Sequence, residues 1–94
     1  MEITLRLPGV LREFAGGRSA VAVEVAEPAT VADVLDRLAT DLPAIERRIR
    51  DERGVLRRHV NVFLGDTNIR DVAELDTKVD PGAELTVIPA VSGG

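Results

Sequence analysis

Glu84-Leu85-Thr86-Val87-Ile88-Pro89-Ala90-Val91-Ser92-Gly93-Gly94 is the stretch whose reading decides the fold. Leu85 and Val87 alternate with Glu84, Thr86 and Ile88, the period of a strand with one buried face. Pro89 has no backbone N–H and tends to stop strand pairing. The five residues after it reach about 17 Å if extended. Gly93 and Gly94 lack a Cβ, so such a tail can thread a narrow channel and approach a reacting centre closely. Residues 1–89 are therefore expected to form one domain and residues 90–94 a flexible tail. A carboxylate on Gly94 can serve as an acyl group once its oxygen becomes a good leaving group, for example by adenylation with ATP. A second protein must do that work, because no other residues here offer the apparatus.

Working outward, Asp80-Pro81-Gly82-Ala83 suits a type II turn, with Pro at its second position and Gly at its third. Arg58–Leu64 reads as a strand with Val60, Val62 and Leu64 inward and His59, Asn61 and Phe63 outward. Gly65-Asp66 fits a type II′ reversal into a short strand, Thr67–Arg70. Asp71–Asp76 is a helical turn or loop that turns Leu75, and in this reading Val72, inward.

The first half has the same grammar. Glu2–Leu7 alternates strictly, and Ala20–Ala26 repeats the pattern with Val21, Val23 and Val25 in phase. Between them Val10–Phe14 fits one helical turn. Thr30 reads as a helix N-cap with Asp33 in the first turn, and Val31, Val34, Leu35, Leu38 and Leu42 follow on one face. Pro43 ends or kinks that helix, and a second short one is expected over Ala44–Arg50, burying Ile45 and Ile49. Asp33, Asp36 and Asp41 are spaced like a solvated helix face, which makes a catalytic role the weakest option. An α+β fold follows, with one amphipathic helix packed on one face of a mixed sheet.

Ninety-four residues, 45% of them hydrophobic, suit one modest core. Cysteine is absent, which excludes a disulfide framework, a thiolate nucleophile and thiolate metal ligands. With a single histidine, His59, no metal site or nucleophilic relay can be built. No leader-like stretch is present and no apolar run nears the roughly 20 residues of a membrane span, so a cytoplasmic protein is expected. The net charge of −4 and the two aromatics, both Phe, give poor support for nucleic-acid binding. Arg47, Arg48, Arg50, Arg53, Arg57 and Arg58 form a basic run, read first as solvated helix and loop and second as a partner or anion site.

This order of elements, running directly into Gly93-Gly94, resembles the β-grasp fold of ubiquitin-like proteins, and within it the sulfur carriers of the MoaD, ThiS and CysO kind. The resemblance covers essentially the whole chain and is most specific at Val60-Asn61-Val62-Phe63 and Val87–Gly94. It implies a mixed sheet of four to five strands on one main helix plus short helices. Ser92 stands where another small residue such as Ala is more usual; it is compatible with a narrow channel.

The resemblance also implies a mechanism. An E1-like enzyme using ATP and Mg²⁺ would adenylate Gly94, a sulfur donor would convert it to a thiocarboxylate, and a downstream synthase would take the sulfur. Val91, Ser92 and Gly93 would thread the partner's channel. The carrier itself would bind no cofactor or metal, catalyse nothing, and be a monomer when free. Phe63, Ile88, His59 and Pro89 are the candidate partner interface, because a short Gly tail offers little area to bury. Two other readings stay open: a modifier joined through Gly94 to lysines, and a non-covalent interaction module. The final sulfur acceptor, among them a molybdopterin precursor or an activated amino acid, is not written in the sequence.

Overall fold

The computed structural model describes residues 1–89. In chain order these form β1 (Glu2–Arg6), α1 (Gly9–Arg12), β2 (Ala20–Glu24), β3 (Ala29–Thr30), α2 (Val31–Asp41), α3 (Pro43–Ile49), β4 (Val60–Leu64), β5 (Thr67–Asn68), β6 (Lys78–Val79) and β7 (Glu84–Pro89). The main sheet has the order β2-β1-β7-β4-β5. β1 is antiparallel to β2 and parallel to β7, while β4 is antiparallel to β7 and β5. With α2 laid across one face, this is the β-grasp arrangement.

Alternation decides which side of the sheet is core. Ile3, Leu5, Val62 and Leu85 are fully buried, and Val21, Val23, Val60 and Val87 nearly so. Against them α2 sets Val31, Val34, Leu35 and Leu38, each at most 1% exposed. Burial of a side chain of this size is worth about 1.5–3 kcal/mol. α2 starts where the sequence says it should. The Thr30 hydroxyl accepts the Asp33 N–H at 3.3 Å, and the Asp33 carboxylate accepts the Thr30 N–H at 2.9 Å, a reciprocal capping box. Leu42 closes α2 by donating its N–H to the Leu38 carbonyl at 2.7 Å. Pro43 then opens α3 at its first position, where a missing N–H costs nothing. Ile45 and Ile49 on α3 are fully buried.

The turns follow their chemistry. Gly65 has φ 58 and Leu64 faces Thr67 across it, as a type II′ hairpin requires. Gly82 has φ 80, and Ala83 N–H donates to the Asp80 carbonyl at 3.0 Å.

Three sequence expectations are corrected, and one feature is new. The short strand after the hairpin ends at Asn68, whose side chain accepts the Arg70 N–H and turns Ile69–Asp71 into a 3₁₀ turn. Val72 points outward, 56% exposed, because that turn rotates Ile69 rather than Val72 into the core. Pro89 belongs to β7 as its last residue, where no further donor is needed. A two-residue ladder, β3 with β6, ties the entrance of α2 to the approach of β7.

Candidate functional site

The site is the place where β7 leaves the sheet. β7 is the central strand, paired with β1 over Glu84–Thr86 and with β4 over Leu85–Pro89, so its end is held by the β4 ladder. Its last rung sets Pro89 opposite Val60. The chain just before Val60 is braced by Arg70. Its guanidinium donates to the Arg57 carbonyl at 2.7 Å, the Val60 carbonyl at 2.8 Å and the Asn61 side-chain oxygen at 3.2 Å. These fixed donors tie the 51–59 segment to β4.

Pro89 stands between two grooves. One, of about 240 Å³, is lined by Pro8, Val10, Leu11, Arg48, His59 and Val60. The other, of about 290 Å³, takes in Arg6, Leu7, Arg12, Thr86 and Ile88. Val10 at 69% and Ile88 at 43% are among the exposed large apolar side chains of the described residues. An apolar surface ringed by cations is suited to a protein partner. Arg48 is held there by its guanidinium, 4.1 Å from the centre of the Phe14 ring, and by a 2.8 Å bond to the Ala44 carbonyl.

The candidate interface residues gather in part. His59 is exposed and lines the first groove, Ile88 lines the second, and Pro89 lines both. Phe63 is half-buried on the outer sheet face and borders neither groove. It faces Thr86, whereas Ile88 faces Asn61, which places Phe63 and Ile88 one diagonal apart, roughly 7–8 Å. Val91, Ser92, Gly93 and Gly94 lie outside the described residues.

The basic run is not one solvated strip. Arg50 is buried, 8% exposed, and donates to Glu46 on its own helix and, at 2.9 Å, to Asp36 on α2. Burial pulls its ionisation down, and the bonds and charges of Glu46 and Asp36 more than offset that, so it ends above ordinary arginine. Arg53 pairs with Asp51 at 2.9 Å, and this bond, with the Val55 and Arg53 N–H groups, holds the Asp51 carboxyl below the usual carboxylate range. Arg57 is tied to the Arg47 carbonyl at 2.9 Å. The helix acids are likewise occupied: Asp33 caps α2, Asp36 binds Arg50 and Asp41 binds Arg37 at 3.0 Å. Among the described residues no cluster of three potential ligands could hold a metal ion, and no helix is long and apolar enough to cross a membrane.

A family model described as the ThiS family matches residues 5–94. The chain belongs to the ThiS family. The sulfur carrier protein CysO of Mycobacterium tuberculosis is 32% identical over 96 residues, covering 100% of both chains. Small archaeal modifier protein 1 of Haloferax volcanii is 40% identical over 84 residues, 89% of this chain and 91% of the relative. A chain in the crystal structure of the Amycolatopsis orientalis BexX/CysO complex superposes with a TM-score of 0.85 at 33% identity, covering 98% of this chain and 99% of that one. These ThiS-family likenesses meet the resemblance and the β-grasp expectation drawn from the sequence. Sequence reading missed Arg70 and Arg12, isolated basic residues whose importance comes only from what the fold brings near them.

Proposed function

We propose that this ThiS-family chain is a sulfur carrier that acts as a protein co-substrate rather than as a catalyst. The observation that carries the reading is the match to the mycobacterial sulfur carrier along the length of both chains. It is supported by a central strand whose last described residue, Pro89, lines two grooves. An E1-like enzyme using ATP and Mg²⁺ adenylates the Gly94 carboxylate. Sulfide equivalents from a donor displace AMP to give the thiocarboxylate, and a downstream synthase consumes it. Val91, Ser92 and Gly93 thread the partner's channel while His59, Ile88 and Pro89 dock against its rim, with Phe63 contributing from the outer sheet face. Tethering the thiocarboxylate to a docked scaffold raises its local concentration far above that of free sulfide. The carrier works in the cytoplasm as a monomer that itself binds no cofactor, with residues 1–89 as the scaffold and 90–94 as the tail.

A second reading is favoured by the archaeal modifier among the relatives: transfer of the same activated acyl group to lysines of other proteins. Mass spectrometry of the protein from its native cell separates the two. A carrier shows sulfur-for-oxygen exchange at Gly94; a modifier leaves its tail as a branch on lysines of other proteins. An unmodified Gly94 with neither product contradicts both.

A further inference from the structure

Within the basic run, Asp51–Val55 forms a loop closed by its own hydrogen bonds. The Asp51 N–H donates to the Val55 carbonyl and the Gly54 N–H to the Asp51 carbonyl, each at 2.9 Å. The Asp51 carboxylate accepts the Arg53 and Val55 N–H groups at 2.9 and 3.1 Å. Gly54 makes the reversal at φ 77, where a side chain is disfavoured. The far end is pinned as well. Leu56 is buried and bridges to Arg50, and the Arg57 N–H donates to the Ile49 carbonyl at 3.0 Å.

Nothing in this closure requires an apolar side chain at position 55. The backbone of Val55 is used, yet its side chain is 48% exposed. It stands between two further grooves. One, of about 420 Å³, takes in Arg53, Arg58 and His59; the other, of about 410 Å³, takes in Arg58, Ala73 and Leu75. His59 also lines the groove beside Pro89, so the loop surface adjoins the site at the end of β7. A β-branched side chain on a hydrogen-bonded loop gives up little entropy when a partner covers it.

Charge says what kind of partner. The chain carries −4 overall, but six of its 12 basic residues and only one of its 16 acids, Asp51, line the two grooves beside Pro89 and the His59 groove next to Val55. Arg6 is paired with Glu84 and Arg53 with Asp51. Arg12, Arg48, Arg57 and Arg58 make no ion pair among the described residues. A positive face on a negative chain selects an acidic partner. Single-stranded nucleic acid is acidic too, but its bases are held by stacking on aromatic rings. Here Phe14 carries Arg48 on its ring, and Phe63 borders none of these grooves. Exposed valines among arginines match a protein surface instead.

We propose that the Asp51–Arg58 loop is a second docking element for the activating enzyme, with Val55 entering an apolar socket whose rim carries carboxylates that meet Arg58. This rests on the activation described under Proposed function and extends its interface from Pro89 past His59 to the loop.

The test follows pyrophosphate release by the cognate adenylating enzyme, with ATP and Mg²⁺, as the concentration of the full chain is varied. Val55→Asp combined with Arg58→Glu should raise KM for the chain about tenfold or more and leave kcat within about twofold, because docking lost equally from ground and transition states appears in KM. Arg58→Gln alone, at an exposed position, should raise KM about threefold. Added NaCl should raise the wild-type KM and affect the double variant less. Val72→Asp puts the same charge on an exposed valine outside these grooves and should leave KM unchanged. An unchanged KM in the double variant, an equal rise in Val72→Asp, or a fall confined to kcat would overturn the proposal. So would binding of a labelled mixed-sequence single-stranded RNA that the double variant loses while its KM holds. Failure of the carrier reading looks different: the wild-type chain itself is never adenylated.

Discussion

Val60 faces Pro89 on the last rung between β4 and β7, and the Val60 carbonyl is held from behind by Arg70 at 2.8 Å. The position of Pro89 is thus set by a strand pair and one guanidinium. Arg70→Met keeps the aliphatic stem but leaves the Arg57 and Val60 carbonyls and the Asn61 amide oxygen short of a donor. A loss of about 2 kcal/mol is expected, because bonds from a charged donor contribute about 1.5–3 kcal/mol. Urea midpoints for the two proteins measure it; an unchanged midpoint would show that water replaces Arg70 without cost.

Docking should depend on the surface beside the exit. Ile88→Glu places a charge on an exposed position and leaves the core intact, so stability should change by less than about 0.5 kcal/mol. Loading of Gly94 by the cognate adenylating enzyme should fall at least about tenfold in kcat/KM, since a buried unpaired charge in an interface costs more than 1.4 kcal/mol. Equal kinetics for the two proteins would remove Ile88 from the interface.

α2 depends on its first turn. Thr30→Ala removes the oxygen that accepts the Asp33 N–H and should cost about 1 kcal/mol, read by chemical denaturation. Thr30→Ser retains the acceptor and should recover most of that loss.

Asp51 sets a pH dependence. Its carboxyl is held below the unfolded value, first by the Arg53 guanidinium and then by the Val55 N–H. A depressed carboxyl contributes stability that is fully present above the unfolded value of about 3.9 and is lost as pH falls through the lower folded one. Stability should therefore decline below about pH 4, with a shallower slope in Asp51→Asn. A Asp51 carboxyl carbon that titrates at the unfolded value by NMR would contradict this.

Much of the fold was legible because its signals are local. The alternation of Ile3, Leu5 and Leu7, the Thr30 cap with Asp33, Pro43 at a helix boundary and Gly65 in the hairpin each depend on a few neighbouring residues. The ladder of Ala29–Thr30 with Lys78–Val79 was not legible, since two residues carry no period. Arg50 looked solvated for a similar reason. Its partner Asp36 is 14 residues away, and only the packing of α2 against α3 brings them to 2.9 Å. That Ile88, Pro89 and His59 lie near the end of β7 could be read from the strand pattern. Their separation from Phe63 could not, because register between β4 and β7 decides it.

The central claim is that another protein loads the carboxylate of Gly94. Its most direct measurement is the release of pyrophosphate when the untagged chain meets ATP, Mg²⁺ and its cognate adenylating enzyme. The account predicts stoichiometric release with an acyl-adenylate on Gly94, and none from a chain lacking that residue. Release that persists without Gly94, or an intact chain that never becomes adenylated, would contradict it.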